Sequence, residues 1–311
     1  MKKILITGGN GYVGKELINT IQNTYKVHVA DKNLNRIKNK KYKKIKLHKI
    51  NLTKNKETKL LINKINPDII INLAATHFIP ECEKYPDLCF ANNVLTVINL
   101  MKNIDKKCKF IHISSASVYK HSKSSLKENT SPIKPSDIYG ISKLQSEQVV
   151  NHYGNKKNID YLIVRLFNVI GPGETNPHFV PEIISQLKKN KNKIKLGNTK
   201  TKRDFIDVRD VANALSKLCK KKFSLLNDNR VLNLGSGNTV SLKKILTIMK
   251  KFTDSNFKII TDKNKLRIND NPIILSSTKK IRKFIDWNVK YDLKTSLKDT
   301  WESKELPPSV E

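Results

Sequence analysis

Short apolar runs alternate with longer stretches whose apolar residues recur every three or four positions. Ile4-Leu5-Ile6 reads as a buried strand and Gly11 to Ile21 as an amphipathic helix. Val27 to Ala30 predicts a second strand, Ile45 to His48 a third, and Lys54 to Ile65 a helix. Asp68 to Leu73 is strongly strand-like, Leu88 to Asn103 carries helical spacing, and Phe110 to Ile113 is another strand. A long helix is predicted over Ser136 to Tyr153, followed by a strand over Tyr161 to Val164. Strand–helix alternation implies parallel strands joined by right-handed crossovers, hence an α/β fold with a doubly wound parallel sheet. After Phe167 the rhythm loosens. Gly171 to Pro181 is loop-like, a helix is expected near Glu182 to Asn190, a strand at Phe205 to Val208, and a helix over Arg209 to Lys221. This predicts a smaller, interleaved C-terminal α/β domain: 1–167 and 204–234 for the large domain, 168–203 and 235–311 for the small one.

The first strand runs directly into Thr7-Gly8-Gly9-Asn10-Gly11-Tyr12-Val13-Gly14. Glycines at Gly8, Gly11 and Gly14 between a strand and a helix suit a dinucleotide diphosphate: a tight turn, a close backbone approach and close helix packing. The second strand ends at Asp31, where a carboxylate accepts from both ribose hydroxyls and repels a 2′-phosphate, favouring NAD over NADP. Ser114-Ser115-Ala116-Ser117 follows the strand at Ile111 to Ile113, and strand carboxyl ends face the ligand crevice. Tyr139 and Lys143 are four apart and share one helix face. A neighbouring ammonium and a positively charged nicotinamide are expected to lower the phenol below its ordinary value of about 10, making Tyr139 a base for an alcohol. Ser115 is placed to steady the charge on the oxygen.

Charge changes the picture little. Lys+Arg number 60 against 27 Asp+Glu, a formal net charge of +33. Lysine and asparagine are spread along nearly every segment, and arginine occurs seven times, which reads as drift in codon usage rather than a phosphate-reading surface. A nucleic-acid binder or non-catalytic regulator is the competing class; binding lost by about 150 mM salt would mark counterion release only. Cys82, Cys89, Cys108 and Cys219 show neither zinc spacing nor a disulfide framework, so no metal is expected and a reducing cytoplasm fits. The apolar run after Met1-Lys2-Lys3 stops at Thr7, too short for a signal peptide, and no membrane insertion is expected.

With these residues in hand, the chain resembles the extended short-chain dehydrogenases, specifically the NAD-dependent epimerase/dehydratase family, from Lys3 to about Trp301. Thr7 to Gly14 matches that family's phosphate loop. The resemblance implies that Asn51, Leu52, Leu73, Ala74 and Ala75 line the cofactor, with Tyr12 and Val13 of the loop. Asn93 would help order the site, and Ser115, Tyr139 and Lys143 fall on its catalytic triad. It further implies that Asn168, Arg203 and Arg267 contact a nucleotide diphosphate and Ser117 the sugar. Asn51 stands where the family often has Asp, and Asn72 where it more usually has His.

Members of this family act on nucleotide-diphosphate sugars. The 4,6-dehydratases carry an Asp-Glu pair where this chain has Ala116 and Ser117; decarboxylases usually carry Glu, and 3,5-epimerase-reductases Cys, at Ser117. What remains resembles the 4-epimerases. Lys202 to Val211 and Leu266 to Pro272 also resemble reductases of GDP-linked 4-keto-6-deoxy sugars. Two helices, near Leu88–Asn103 and Ser136–Tyr153, resemble those that pair in the family's dimers, so a two-fold homodimer is expected.

Overall fold

A computed structural model describes residues 1–37, 42, 45–174, 178–189, 193–226, 229–253, 257–263 and 271–303. The first half alternates as β1 (Lys3–Thr7), α1 (Tyr12–Ile21), β2 (Lys26–Asp31), β3 (Lys46–Lys49), α2 (Asn55–Ile65) and β4 (Ile69–Asn72). Two short helices, α3 (Ile79–Lys84) and α4 (Pro86–Phe90), lead through a single π-helical turn, Ala91–Leu95, into α5 (Thr96–Asn103). Then come β5 (Lys109–Ser115), α6 (Ile138–Lys156), β6 (Tyr161–Leu166) and β7 (Asn168–Ile170). The second half holds α7 (Phe179–Lys188), β8 (Lys193–Leu196), β9 (Lys202–Arg203), β10 (Phe205–Asp207), α8 (Val208–Leu218) and β11 (Val231–Leu234). It continues with β12 (Val240–Ser241), α9 (Leu242–Thr253), β13 (Lys258–Thr261), β14 (Ile273–Ile274), α10 (Lys279–Ile285) and α11 (Leu293–Glu302).

Seven parallel strands form the main sheet in the order β11-β6-β5-β4-β1-β2-β3, a Rossmann-type α/β architecture as expected. Winding reverses beside β1, between β2 and β4, which opens a crevice at the strand carboxyl ends. Both faces are buried, so the strands read as continuous apolar runs. On β1, Ile4 and Ile6 pack with α1 and α8, while Leu5 packs on the opposite side with Leu61 of α2 and Leu100 of α5.

A second core joins Ile183 and Leu187 of α7, Ile194 of β8, Ile245 and Met249 of α9, and Leu297 of α11. Small sheets frame it: β8 with β13, and β9 between β12 and β14. The boundary expected at 235 does not follow the packing throughout. Ile281 and Ile285 of α10, with Trp287 after it, lie in the core shared by α1 and α8. Their spacing signals a buried helix face but not which core receives it.

Candidate active site

The carboxyl ends of β1 to β6 open into one cleft of about 1390 Å³. Its first wall is the glycine loop. Gly8 has φ +67°, and a Cβ there would stand 2.7 Å from the Ala74 backbone nitrogen, so only glycine lets β1 and the β4 end approach this closely. Gly11 caps α1 without a side-chain hydrogen bond, leaving the first helical N–H groups to an anion. Gly8, Gly11, Tyr12, Val13 and Gly14 all line the cleft, as do Leu52, Leu73, Ala74 and Ala75.

Asp31 lines the cleft at the end of β2. Its carboxylate accepts from the backbone N–H of Asn10 at 3.1 Å and of Asn33 at 3.2 Å. Burial raises its pKa, and these N–H groups oppose the rise. The neighbouring cations are engaged elsewhere: Lys32 Nζ donates to Asn92 Oδ1 at 2.6 Å, and Arg36 Nη2 donates to the Gly173 carbonyl at 2.9 Å. A Cβ-free turn, an uncapped helix N-terminus and a carboxylate at the second strand end together fit NAD.

Two of the expected cofactor residues stand behind the cleft surface. Asn51 Oδ1 accepts from the Thr53 hydroxyl at 2.8 Å and its N–H at 3.2 Å, and the adjacent Ile50 and Leu52 line the cleft instead. Asn93 is buried: its Nδ2 donates to the Thr76 carbonyl and to Ser142 Oγ, each at 2.9 Å, and its Oδ1 accepts from Thr76 N at 2.8 Å. It ties the β4 end to α6 through the wide turn at Ala91–Leu95.

The opposite wall carries Ser115, Ser117, Tyr139 and Lys143. Ser115 ends β5, and its Oγ accepts from Ser117 N at 3.1 Å. Asp137 caps α6 by accepting from Gly140 N at 2.7 Å. A Cβ at Gly140 would fall 2.5 Å from the Ser117 carbonyl oxygen, so glycine at this position lets the helix bring Tyr139 against the Ser115 turn. Lys143 is 3% exposed and its Nζ donates to the Ile113 carbonyl at 2.6 Å. Burial lowers Lys143 to about 8, opposed by the charge of Glu147. Within the chain alone, burial raises Tyr139 above its ordinary value, and the hydrogen bond from Ser115 opposes this only in part; the lowering expected from a positively charged nicotinamide would act in addition.

Behind this wall is a buried polar frame. Glu147 accepts from Arg165 Nε at 2.9 Å and Nη2 at 2.7 Å, and from the Ser114 hydroxyl at 2.5 Å. The Arg165 guanidinium lies 4.6 Å over the Tyr119 ring, whose hydroxyl donates to Asn233 Oδ1 at 2.8 Å. His112 contacts Asn72 Nδ2 at 3.1 Å and Ser146 Oγ at 2.8 Å, and burial holds it neutral by lowering its pKa well below the usual range.

On the remaining side, Asn168 of β7 and Arg203 of β9 line the cleft. Arg203 Nη1 donates to the Asn271 carbonyl at 2.7 Å, and the next residue, Asp204, accepts from Ser236 N at 2.7 Å, from the Ser236 hydroxyl at 2.6 Å and from Ser276. Arg267 lies outside the described residues. Sequence reading missed the buried Glu174, whose Oε1 is 2.8 Å from His178 Nδ1, and His77, whose ring meets His178 edge-on at 5.6 Å. Glu174 and His178 are four apart but not on one helix, so no periodicity marks them.

Across residues 4–235 the chain matches the NAD dependent epimerase/dehydratase family, and it belongs to that family. It is 27% identical over 283 residues to a GDP-6-deoxy-D-talose 4-dehydrogenase of Aggregatibacter actinomycetemcomitans, covering 90% of each chain. It is 28% identical over 327 residues to a UDP-glucose 4-epimerase of Mycoplasma genitalium, covering 96% of this chain and 94% of that one. The fold is similar to that of the Thermotoga maritima UDP-glucose 4-epimerase solved with UDP-glucose, at a TM-score of 0.86 and 21% identity over 96% of this chain and 97% of that one. The family is NAD-dependent, in agreement with the cofactor expected from Asp31. Among the described residues no helix is long and apolar enough to cross a membrane.

Proposed function

We propose that this chain oxidises and reduces C4 of a nucleotide-linked hexose and that its net reaction is 4-epimerisation. The carrying observation is that Ser115, Tyr139 and Lys143 share a cleft with the glycine loop, while the turn after Ser115 holds Ala116 and Ser117. Elimination would need an acid and a base there. When bound, NAD supplies a site that takes and returns hydride. Tyr139 exchanges the proton of the sugar oxygen, donating it as a phenol and accepting it as a phenolate. Burial favours the phenol, the form required for reduction of a ketone; the Lys143 ammonium favours the phenolate required for oxidation of an alcohol. Ser115 donates a hydrogen bond to the same oxygen. Arg203 and Asn168, with Arg267, are assigned to the diphosphate, and Asp31 to the adenosine ribose. The cleft exceeds the usual range of about 300–1,000 Å³ for a single small ligand, which supports its holding a dinucleotide and a nucleotide sugar together.

A second chemistry is favoured by the likeness to the GDP-6-deoxy-D-talose 4-dehydrogenase over nine-tenths of both chains: one hydride transfer per cofactor, followed by release. Purification without added cofactor, assay of bound NAD and incubation with UDP-, GDP- and dTDP-sugars separates the two. Conversion without external NAD supports epimerisation; stoichiometric consumption of free cofactor overturns it in favour of the dehydrogenase. Exposed Leu88 and Leu95, with the neighbouring Val94, Ile98 and Val149, support a homodimer through α5 and α6, which sedimentation velocity tests.

A further inference from the structure

One side chain joins the two ends of the cleft. Arg36 sits in a short turn, Asn35–Ile37, five residues beyond Asp31. Its backbone N–H donates to Asn10 Oδ1 at 2.9 Å. Asn10 in turn donates its own N–H to Asp31 at 3.1 Å and its side-chain amide to Asn35 Oδ1 at 3.2 Å. The glycine loop, the ribose-end carboxylate and the Arg36 backbone are therefore one hydrogen-bonded unit. The guanidinium reaches away from it. Nη2 donates to the carbonyl of Gly173 at 2.9 Å, 137 residues along the chain.

Gly173 immediately precedes Glu174, and Glu174 is buried with its carboxylate on His178, the residue that opens α7. Two residues earlier the loop packs closely on the phosphate loop: a Cβ at Gly171 would stand 3.1 Å from the hydroxyl of Tyr12. The loop from Gly171 to Glu174 is thus held from the cofactor side by the Arg36 hydrogen bond and packed closely beside the Tyr12 hydroxyl, and it carries the Glu174–His178 pair on the substrate side. An arginine this near the adenosine ribose is also what a 2′-phosphate would recruit, because the guanidinium fork prefers phosphate to a neutral carbonyl.

We propose that Arg36 is a positioning residue that couples the two ligand sites, latching the Gly171–Glu174 loop when NAD orders the Asp31–Asn10 unit. It rests on the assignment of this cleft to both cofactor and substrate. The same latch adds a second level of cofactor discrimination. A 2′-phosphorylated dinucleotide draws the guanidinium off Gly173, so even at saturation it leaves the substrate loop unlatched.

Hydrogen–deuterium exchange of the full chain tests this with dinucleotide alone, independently of which sugar is turned over or whether one is. Saturating NAD is expected to slow exchange of the peptide carrying Gly171 to Glu174 by about tenfold, as for one hydrogen bond to a charged donor. The protection disappears in Arg36→Ala, returns in part in Arg36→Lys, and is absent with saturating NADP on the unaltered chain. Equal protection in Arg36→Ala overturns the latch. By linkage the same variant binds NAD about tenfold more weakly, and a fall of about a hundredfold or more, which would make Arg36 a plain cofactor contact, overturns the latch as well. The NADP arm needs no substitution: protection equal to that given by NAD overturns the proposal even if Arg36→Ala folds poorly.

Discussion

Replacing Glu147 by Gln is the most demanding test of the frame behind the candidate triad. Glu147 and Arg165 are 4% and 6% exposed at their side chains and make two charge-assisted hydrogen bonds at 2.9 and 2.7 Å. Arg165 Nη1 is buried with no hydrogen-bond partner even with the carboxylate in place, so Glu147 carries the charge-assisted bonds of this guanidinium. Removing one partner of a buried pair costs about 3–5 kcal/mol, because the remaining charge stays desolvated. At about 2 cal/mol/K of unfolding entropy per residue, a chain of this length loses about 5–8 °C of melting temperature. Scanning calorimetry of the cofactor-free protein measures this. A second readout separates a local electrostatic role from simple loosening. The Glu147 charge opposes the lowering of Lys143, so the variant's Lys143 titrates below about 8 and its pH profile moves to the acid side. A melting temperature within 2 °C of the parent, with an unmoved pH profile, would falsify this account of the pair.

Tyr139→Phe should lower turnover by about 10²- to 10⁴-fold, the usual worth of a positioned acid–base group, while NAD affinity, measured by calorimetric titration, changes by less than about tenfold. Lys143 predicts a pH dependence of stability. Its folded pKa is depressed to about 8 from 10.5, so between those values the unfolded chain binds the extra proton and stability rises with pH. Lys143→Met should remove that rise in urea melts recorded from pH 7 to 10.5. Gly8→Ala adds about 1–2 kcal/mol of left-handed backbone strain and a contact at 2.7 Å with Ala74, and NAD binding by fluorescence titration should weaken by more than about tenfold.

Much of the first half was legible because both faces of its sheet are buried. A run such as Ile69-Ile70-Ile71 packs into two cores at once and leaves no other reading. The catalytic candidates were legible for a related reason: Tyr139 and Lys143 are one helical turn apart, and Ser115 ends a strand. The frame that supports them was not. Glu147, Arg165, Tyr119 and Asn233 meet only after long-range folding, and no spacing announces them. The strand pair β8 and β13 was also missed, since Lys193-Ile194-Lys195-Leu196 is short and half polar. The burial that opposes ionisation of Tyr139 was not legible either, because a sequence displays the nearby ammonium but not the depth at which the phenol lies.

The π turn at Ala91–Leu95 has a consequence for how this segment can vary. Its extra width comes from the number of residues wound into it, not from the identity of any one of them. Substitution alone will therefore leave the bulge in place. Deleting a single residue would wind the segment back to ordinary pitch and swing everything before it by about 100° about the helix axis. Asn93 would then leave the notch between Thr76 and Ser142, and Thr76 would lose the partner of both its backbone groups. Variation in length is thus barred where variation in residue type is tolerated, and an alignment gap placed inside these five positions would signal a differently built site.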